Sequence, residues 1–397
     1  MLRRRPSLGK FRALASRITK GSRANNSFAE IRGSSAPNPG VRTRLSLWRG
    51  LVVFARMICL QAVGWRVFAL SLVLCSSGLR AALPAGVNEG EFLGWTNALS
   101  LRDDHGKTTT VVVPDIGGRV VQYSRGGVNA LLENPDSNGK TLARWPGGFW
   151  VGGYQCDLGP GLLGALERQG VWLGPHDFVA PRDHTVETAS PLDVVTGLRL
   201  LKSFTLDPDT GALGVVQRMV NASPNPTRHH LHDRTLCPAG GFFFAPLPRQ
   251  SRHRAGWAVL RVAEAGSFFD GEQPTLPNAS VTGDWLVVQA AGAPGKLGLD
   301  TAVGWVAYVR GKLLFVKFFP TWRGAAYAGA GHTVEFSWND QMAALELFSP
   351  VAALQPGQAF DFPELWQLIE LKEAVTSFED ARAAAKKIPP SPFAPKK

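Results

Sequence analysis

Little in this 397-residue chain points to cross-linking, metal or nucleotide chemistry. Only two of its four cysteines, Cys156 and Cys237, lie beyond residue 82. Two thiols do not make a disulfide scaffold in a large domain, although an exported chain would let them pair. No C-x-x-C and no H-E-x-x-H occurs, so the usual zinc signatures are missing. The pair Gly117-Gly118 belongs to no G-x-G-x-x-G and precedes no helical pattern, which excludes a dinucleotide fingerprint. The apolar run Val67 to Cys75 is too short to span a bilayer comfortably. Helical periodicity is almost absent, and no internal repeat is visible.

Positive charge is abundant, but it is not spread evenly. The formal net charge is +12. Of 43 Lys and Arg and 31 Asp and Glu, residues 1–81 hold 15 and one, so the remaining 28 and 30 nearly cancel. The body has no basic stripe, which argues against a nucleic-acid partner. Residues 1–56 are rich in Arg, Ser and Gly without apolar periodicity and read as a disordered basic extension. Residues 57–82 read as a signal peptide. Arg66 precedes the apolar run, and Leu79-Arg80-Ala81 offers a small residue for cleavage. Met57 is then the expected start, and the mature chain is expected to be secreted or periplasmic, with no stable membrane span after cleavage.

From residue 83 onward the pattern is strand after strand. Thr108–Val113 is β-branched, Pro114 to Gly118 breaks it, and Arg119–Ser124 resumes. Later strands are expected near His184–Thr188, Gly197–Thr205, Gly214–Val220, His229–Leu236, Phe242–Pro246, Trp257–Ala263 and Trp285–Ala290. More follow near Ala302–Arg310, Leu313–Pro320, Thr333–Asn339, Ala343–Ser349 and Ala359–Glu370. Turn signals every eight to twelve residues, such as Asp207 to Gly211, predict a large antiparallel sandwich over 83–372. In 373–397 only Ser377–Lys387 reads as helix, capped by Ser377, with acids first and lysines last. The tail Ser391 to Lys397 reads as disordered.

One stretch concentrates chemistry. Asn221 to Thr235 carries three of the eight histidines within four positions, after the turn at Pro224 to Pro226. As a strand it would point Arg228, His230, His232 and Arg234 one way and His229, Leu231, Asp233 and Thr235 the other. Two imidazoles and two guanidiniums on one face suit an anionic or polyhydroxylated ligand better than a dry core. The same face could also be merely solvated. A metal at His230-x-His232 is disfavoured by the flanking arginines, and no metal or other cofactor is expected. Gly147 to Pro181 adds Trp150, Tyr154, Trp172, His176 and Phe178 among glycines and prolines. Aromatics on such a loop can stack on sugar rings or tuck into the core.

Four segments in order carry a family likeness: 94–124 (GWTNALSLRDDHGKTTTVVVPDIGGRVVQYS), 130–135 (ALLENP), 295–319 and 334–368. Together they resemble a bacterial family of unknown function related to the galactose mutarotase, or aldose 1-epimerase, proteins. The likeness covers about residues 91–371. It implies an all-β, galactose mutarotase-like supersandwich and a sugar ligand. Mutarotases use a His acid and a Glu base on opposite sides of the sugar to open the hemiacetal. The resemblance puts the base at Glu346, in A-L-E-L-F-S-P. It puts Arg234 where the family has its catalytic His, and Arg cannot act as an acid near neutral pH. His232 is the substitute on the same face. Gln155 stands after Gly152-Gly153-Tyr154 where relatives often have a cation.

The catalytic candidates are therefore His232 and Glu346, and the substrate-binding candidates Arg234, His230, Trp150, Trp172, His176 and Asp233. The expected function is a secreted carbohydrate-binding protein with a mutarotase-like cleft. The alternatives are an aldose 1-epimerase-like enzyme and a non-catalytic structural or interaction protein of the envelope.

Overall fold

A computed structural model describes residues 82–160 and 168–393. The expected basic extension over 1–56 and all but the last residue of the expected signal peptide lie outside them. Among the described residues, no helix is long and apolar enough to cross a membrane.

Two antiparallel sheets make the body. The larger runs in the order Val87–Phe92, Trp95–Arg102, Thr108–Val113, Arg119–Arg125, Tyr154–Gly159, Thr227–Pro238, Met342–Phe348, Val334–Trp338, Gly295–Leu299, Ala258–Ala263 and Gly266–Asp270. The smaller runs Ala279–Thr282, Trp285–Gln289, Phe242–Pro246, Trp305–Phe318, Ala359–Val375, Leu213–Asn221, Leu198–Leu206, Thr185–Ala189 and Asp177–Arg182.

Local sequence explains most of these elements. Leu198–Leu206 buries every second residue, so one face packs inward and the other meets solvent. Its turn into Leu213–Asn221 is built by Asp207, whose Oδ1 accepts from the Thr210 amide and hydroxyl, both at 2.8 Å. Gly211 follows at φ +69°, a left-handed conformation that glycine adopts without steric cost. The predicted strands Ala302–Arg310 and Leu313–Pro320 are one strand, Trp305–Phe318, with a bulge at Gly311 and Leu313.

Aromatic side chains fill the space between the sheets. Tyr123, Tyr154, Phe315 and Trp366 meet at 5.2–6.0 Å, and Phe243 stacks on Phe336 at 4.3 Å. The helix Phe378–Ala385 packs on the far side of the smaller sheet, with Phe378 against Phe242. Ser377 and Asp380 cap it reciprocally, the Ser377 hydroxyl accepting from the Asp380 amide.

Cys156 and Cys237 do not pair. Each is a buried free thiol, and Cys156 lies 2.8 Å from the Gln217 side chain. The stretch from Gly147 to Pro181, read as a loop of aromatics, contains the fully buried strand Tyr154–Gly159 and the edge strand Asp177–Arg182. A strand buried on both faces has no alternation to reveal it.

Candidate functional site

The strand Thr227–Pro238 sits in the middle of the larger sheet, between Tyr154–Gly159 and Met342–Phe348. Its alternation is the expected one. Leu231, Asp233 and Thr235 are fully buried between the sheets, while His232 and Arg234 face outward. On Met342–Phe348, Leu345 and Leu347 join the core, so Glu346 also faces outward.

Register then assembles a row across the outer face. Glu335, Glu346, Arg234 and Gln155 are direct cross-strand neighbours. Val120 pairs with Tyr154, which sets Arg119 beside Gln155 at the end of the row. Lys296 reaches in from the Gly295–Leu299 strand, paired with Ser337.

Glu346 is the centre. Its carboxylate accepts from His232 Nε2 at 3.1 Å, Ser337 Oγ at 3.1 Å and Lys296 Nζ at 3.4 Å, with Arg234 Nε at 4.0 Å. The carboxylate is only 5 % exposed. Burial alone would push it up, but the His232 hydrogen bond and the charges of Lys296 and Arg234 outweigh burial. Glu346 is therefore held ionised, well below the usual carboxylate range.

The network continues away from Arg234. Lys296 Nζ also meets Glu335 at 2.6 Å, and the other Glu335 oxygen meets His332 Nδ1 at 3.1 Å. His332 Nε2 faces His253 Nε2 at 2.9 Å. Two glycines make room for these imidazoles. A Cβ on Gly298 would come within 2.0 Å of the His332 ring, and one on Gly159 within 2.0 Å of the His230 ring.

The other end of the row is tied to the tryptophan segments. Arg119 donates to the Val151, Gly152 and Trp172 carbonyls at 3.2–3.4 Å. Trp150 is well exposed beside this anchor, and Trp172 is partly buried against the outer-face apolar cluster.

Three candidates depart from the expected arrangement. Asp233 faces away from the His232 and Arg234 side chains and binds Lys317 Nζ at 2.9 Å in the interior, as its place one residue from two outward side chains requires. His176 is not on the rim. It is buried, its Nε2 lies 2.8 Å from the Val171 carbonyl, and burial with Lys202 nearby pushes it down to about 3. His230 shares the outward face but is buried over Gly159. Burial, with His232, His229 and Arg168 beside it, pushes it down to about 4. Both imidazoles are neutral at physiological pH.

Lys296, Ser337, Glu335 and His332 were not expected in the site. The strand holding Lys296 is five residues long and its Gly-Lys-Leu-Gly-Leu sequence has only two apolar side chains. Thr333 to Asn339 was legible as a strand, and its alternation already set Glu335 and Ser337 on one face. What it lacked was any local mark of the neighbouring strand. Among the described residues, no group of three His, Cys, Asp or Glu side chains is placed to hold a metal ion. A groove of about 790 Å³ lies elsewhere, between Arg125, Gly126, Arg310 to Leu313 and Glu370. Its ion pair, Arg125 with Glu370 at 3.9 Å, is partly solvent-exposed, so it lacks the convergent, desolvated groups of the Glu346 cluster.

The fold and the row together define an antiparallel two-sheet protein with an ionised carboxylate set among cations on one sheet face. Solved structures similar to it include two described as galactose mutarotase-like proteins. One from Lactobacillus casei is 10% identical over 68% of this chain and 100% of its own, with a TM-score of 0.47. One from Clostridium acetobutylicum is 12% identical over 72% and 99%, with a TM-score of 0.46. The Synechocystis protein Slr1438 is 12% identical over 73% and 99%, with a TM-score of 0.48. No family model matches the chain, and no curated protein matches it.

Proposed function

We propose that this chain is a secreted or periplasmic carbohydrate-binding protein whose ligand lies over Glu346. The observation that carries the reading is the Glu346 carboxylate, held ionised and nearly buried by His232, Lys296 and Arg234. A fixed anionic acceptor ringed by donors fits hydroxyl groups, each of which both donates and accepts. The sequence likeness over residues 91–371 supports a sugar as the source of those hydroxyls.

Binding is favoured over turnover. Hemiacetal opening needs the acid and the base on opposite sides of the sugar. Here His232 Nε2 and Glu346 Oε2 are hydrogen-bonded to each other at 3.1 Å, so they occupy one spot. The Nε2–H of His232 in that contact is directed at Glu346.

A glycan array on the full-length protein, followed by anomer-exchange NMR on any hit, tests the reading. The expected result is binding without accelerated exchange. Exchange that Glu346→Gln abolishes would instead establish the epimerase. Failure to bind any glycan would favour a structural protein.

A further inference from the structure

The row is electrically lopsided. At its Glu335 end the charges are matched: Lys296 lies between Glu335 and Glu346, and His332 and His232 flank them. At its Arg119 end they are not. Arg119 is buried, and its guanidinium donates only to main-chain carbonyls. Lys202, buried behind it, donates to the Gly117 carbonyl at 2.5 Å. Neither forms an ion pair among the described residues. Arg234 reaches Glu346 only at 4.0 Å, on a carboxylate already taken by three other donors. The Nε atoms of both Arg119 and Arg234 are buried without a hydrogen-bond partner.

Buried cations are ordinarily paired, because an uncompensated charge in low dielectric is costly. The strain is visible in Arg119, which burial and then the neighbouring Arg234 push down to about 9. Lys202 is pushed down to about 8 by burial, with Arg119 adding to it and Cys156 and the Asp157 carboxylate, which does not contact it directly, opposing it. Arg234 is 27 % exposed, whereas Arg119 is buried, so Arg234 is the accessible guanidinium of the two.

We propose that the ligand of this cleft is an acidic sugar, a uronate, whose carboxylate pairs with Arg234. This inference rests on the carbohydrate reading above and deepens it. The planar guanidinium fork matches a carboxylate in shape and charge. Arg119 and Lys202 stand behind Arg234 and raise the local positive potential without touching the ligand. The Gln155 amide, between the two arginines in the row, lies beside the docked group. A singly charged carboxylate fits better than a phosphate ester. Glu346 is ionised next to Arg234 and Glu335 is one strand further on, so a dianion would meet about twice the repulsion of a monoanion.

NMR titration of the full-length protein with glucuronate and galacturonate, their neutral parent hexoses and the corresponding hexose 6-phosphates tests this. Uronates are expected to bind at least about tenfold tighter than the neutral sugars, with an affinity that falls as salt rises. Arg234→Met should remove that preference, read as the ratio of uronate to neutral-sugar affinity, and its salt dependence. The salt dependence of the unmodified protein gives the same answer if that variant does not fold. Equal binding of neutral sugars and uronates, insensitive to salt, would overturn the inference and leave the carbohydrate reading intact. Tighter binding of the 6-phosphates would overturn it in favour of a dianion. Binding of none of the three classes would count against both.

Discussion

Two ionic clusters lie on opposite faces of the same strand, Thr227–Pro238. On the inner face Asp233 meets Lys317, which also meets Thr235 and Glu364, and Glu364 meets Gln217 and the Trp366 indole. On the outer face, one residue away on either side, His232 and Arg234 meet Glu346. Both clusters hold more charge than an apolar layer would tolerate unpaired. They differ in solvation: Lys317, Asp233 and Glu364 are wholly buried, whereas Arg234 and Lys296 remain 27 % exposed. The inner cluster therefore fixes how the two sheets meet, since each sheet supplies part of it. The outer cluster keeps donors that a ligand can reach.

The largest effect should come from breaking the inner cluster. Lys317→Met leaves Asp233 and Glu364 facing each other without a cation, and should cost on the order of 3–5 kcal/mol. Denaturant unfolding would measure it. A loss no greater than that of an outer-face variant would remove the distinction between the clusters.

Glu346→Gln should cost less stability, roughly 1–3 kcal/mol, because it removes a charged hydrogen-bond acceptor whose partners can still reach water or Glu335. It should nevertheless abolish ligand binding, which Lys317→Met should spare wherever the protein remains folded. Calorimetric titration on both variants makes that test.

Gly298→Ala would drive a Cβ into the His332 ring and loosen the Glu335 contact, costing about 1–3 kcal/mol through overpacking. The effect on binding should be smaller than that of Glu346→Gln, because Lys296 still holds Glu346. A binding loss as large would mean that the row works as one rigid unit.

The smallest and most diagnostic contrast is in pH dependence. The folded-state value of Glu346 is depressed, so its stabilisation is present above the ordinary value near 4.5 and is lost as pH falls below it. Asp233 shows the opposite sign. Burial, then the nearby Glu364, raise it well above 3.8, so its contribution is present below that value and is lost as pH rises through the raised one. Stability measured against pH should therefore lose part of its acid-side slope in Glu346→Gln, while Asp233→Asn steepens it. The same change of slope in both variants would contradict the assignment.

Much of the fold was legible. Period-two alternation gave away Leu198–Leu206 and Thr227–Pro238, and the Ser377 cap marked the helix Phe378–Ala385. The convergence of His232, Arg234 and Glu346 was also accessible: strand alternation put His232 and Arg234 on one face, and the family resemblance implied that the Glu346 strand lies on the same side. Asp233 was misread as a cleft residue although its parity already placed it inward.

What the chain determined by itself was local: which segments are extended, which side chains share a face, and where charge is concentrated. Those properties follow from backbone geometry within a few residues. Only the tertiary structure decided that Lys296, 50 residues before Glu346, would reach it at 3.4 Å. It alone also placed Lys317, not a ligand, opposite Asp233. Such pairs depend on strand order and on packing between sheets, which are settled by the burial of the whole core rather than by the sequence around either partner.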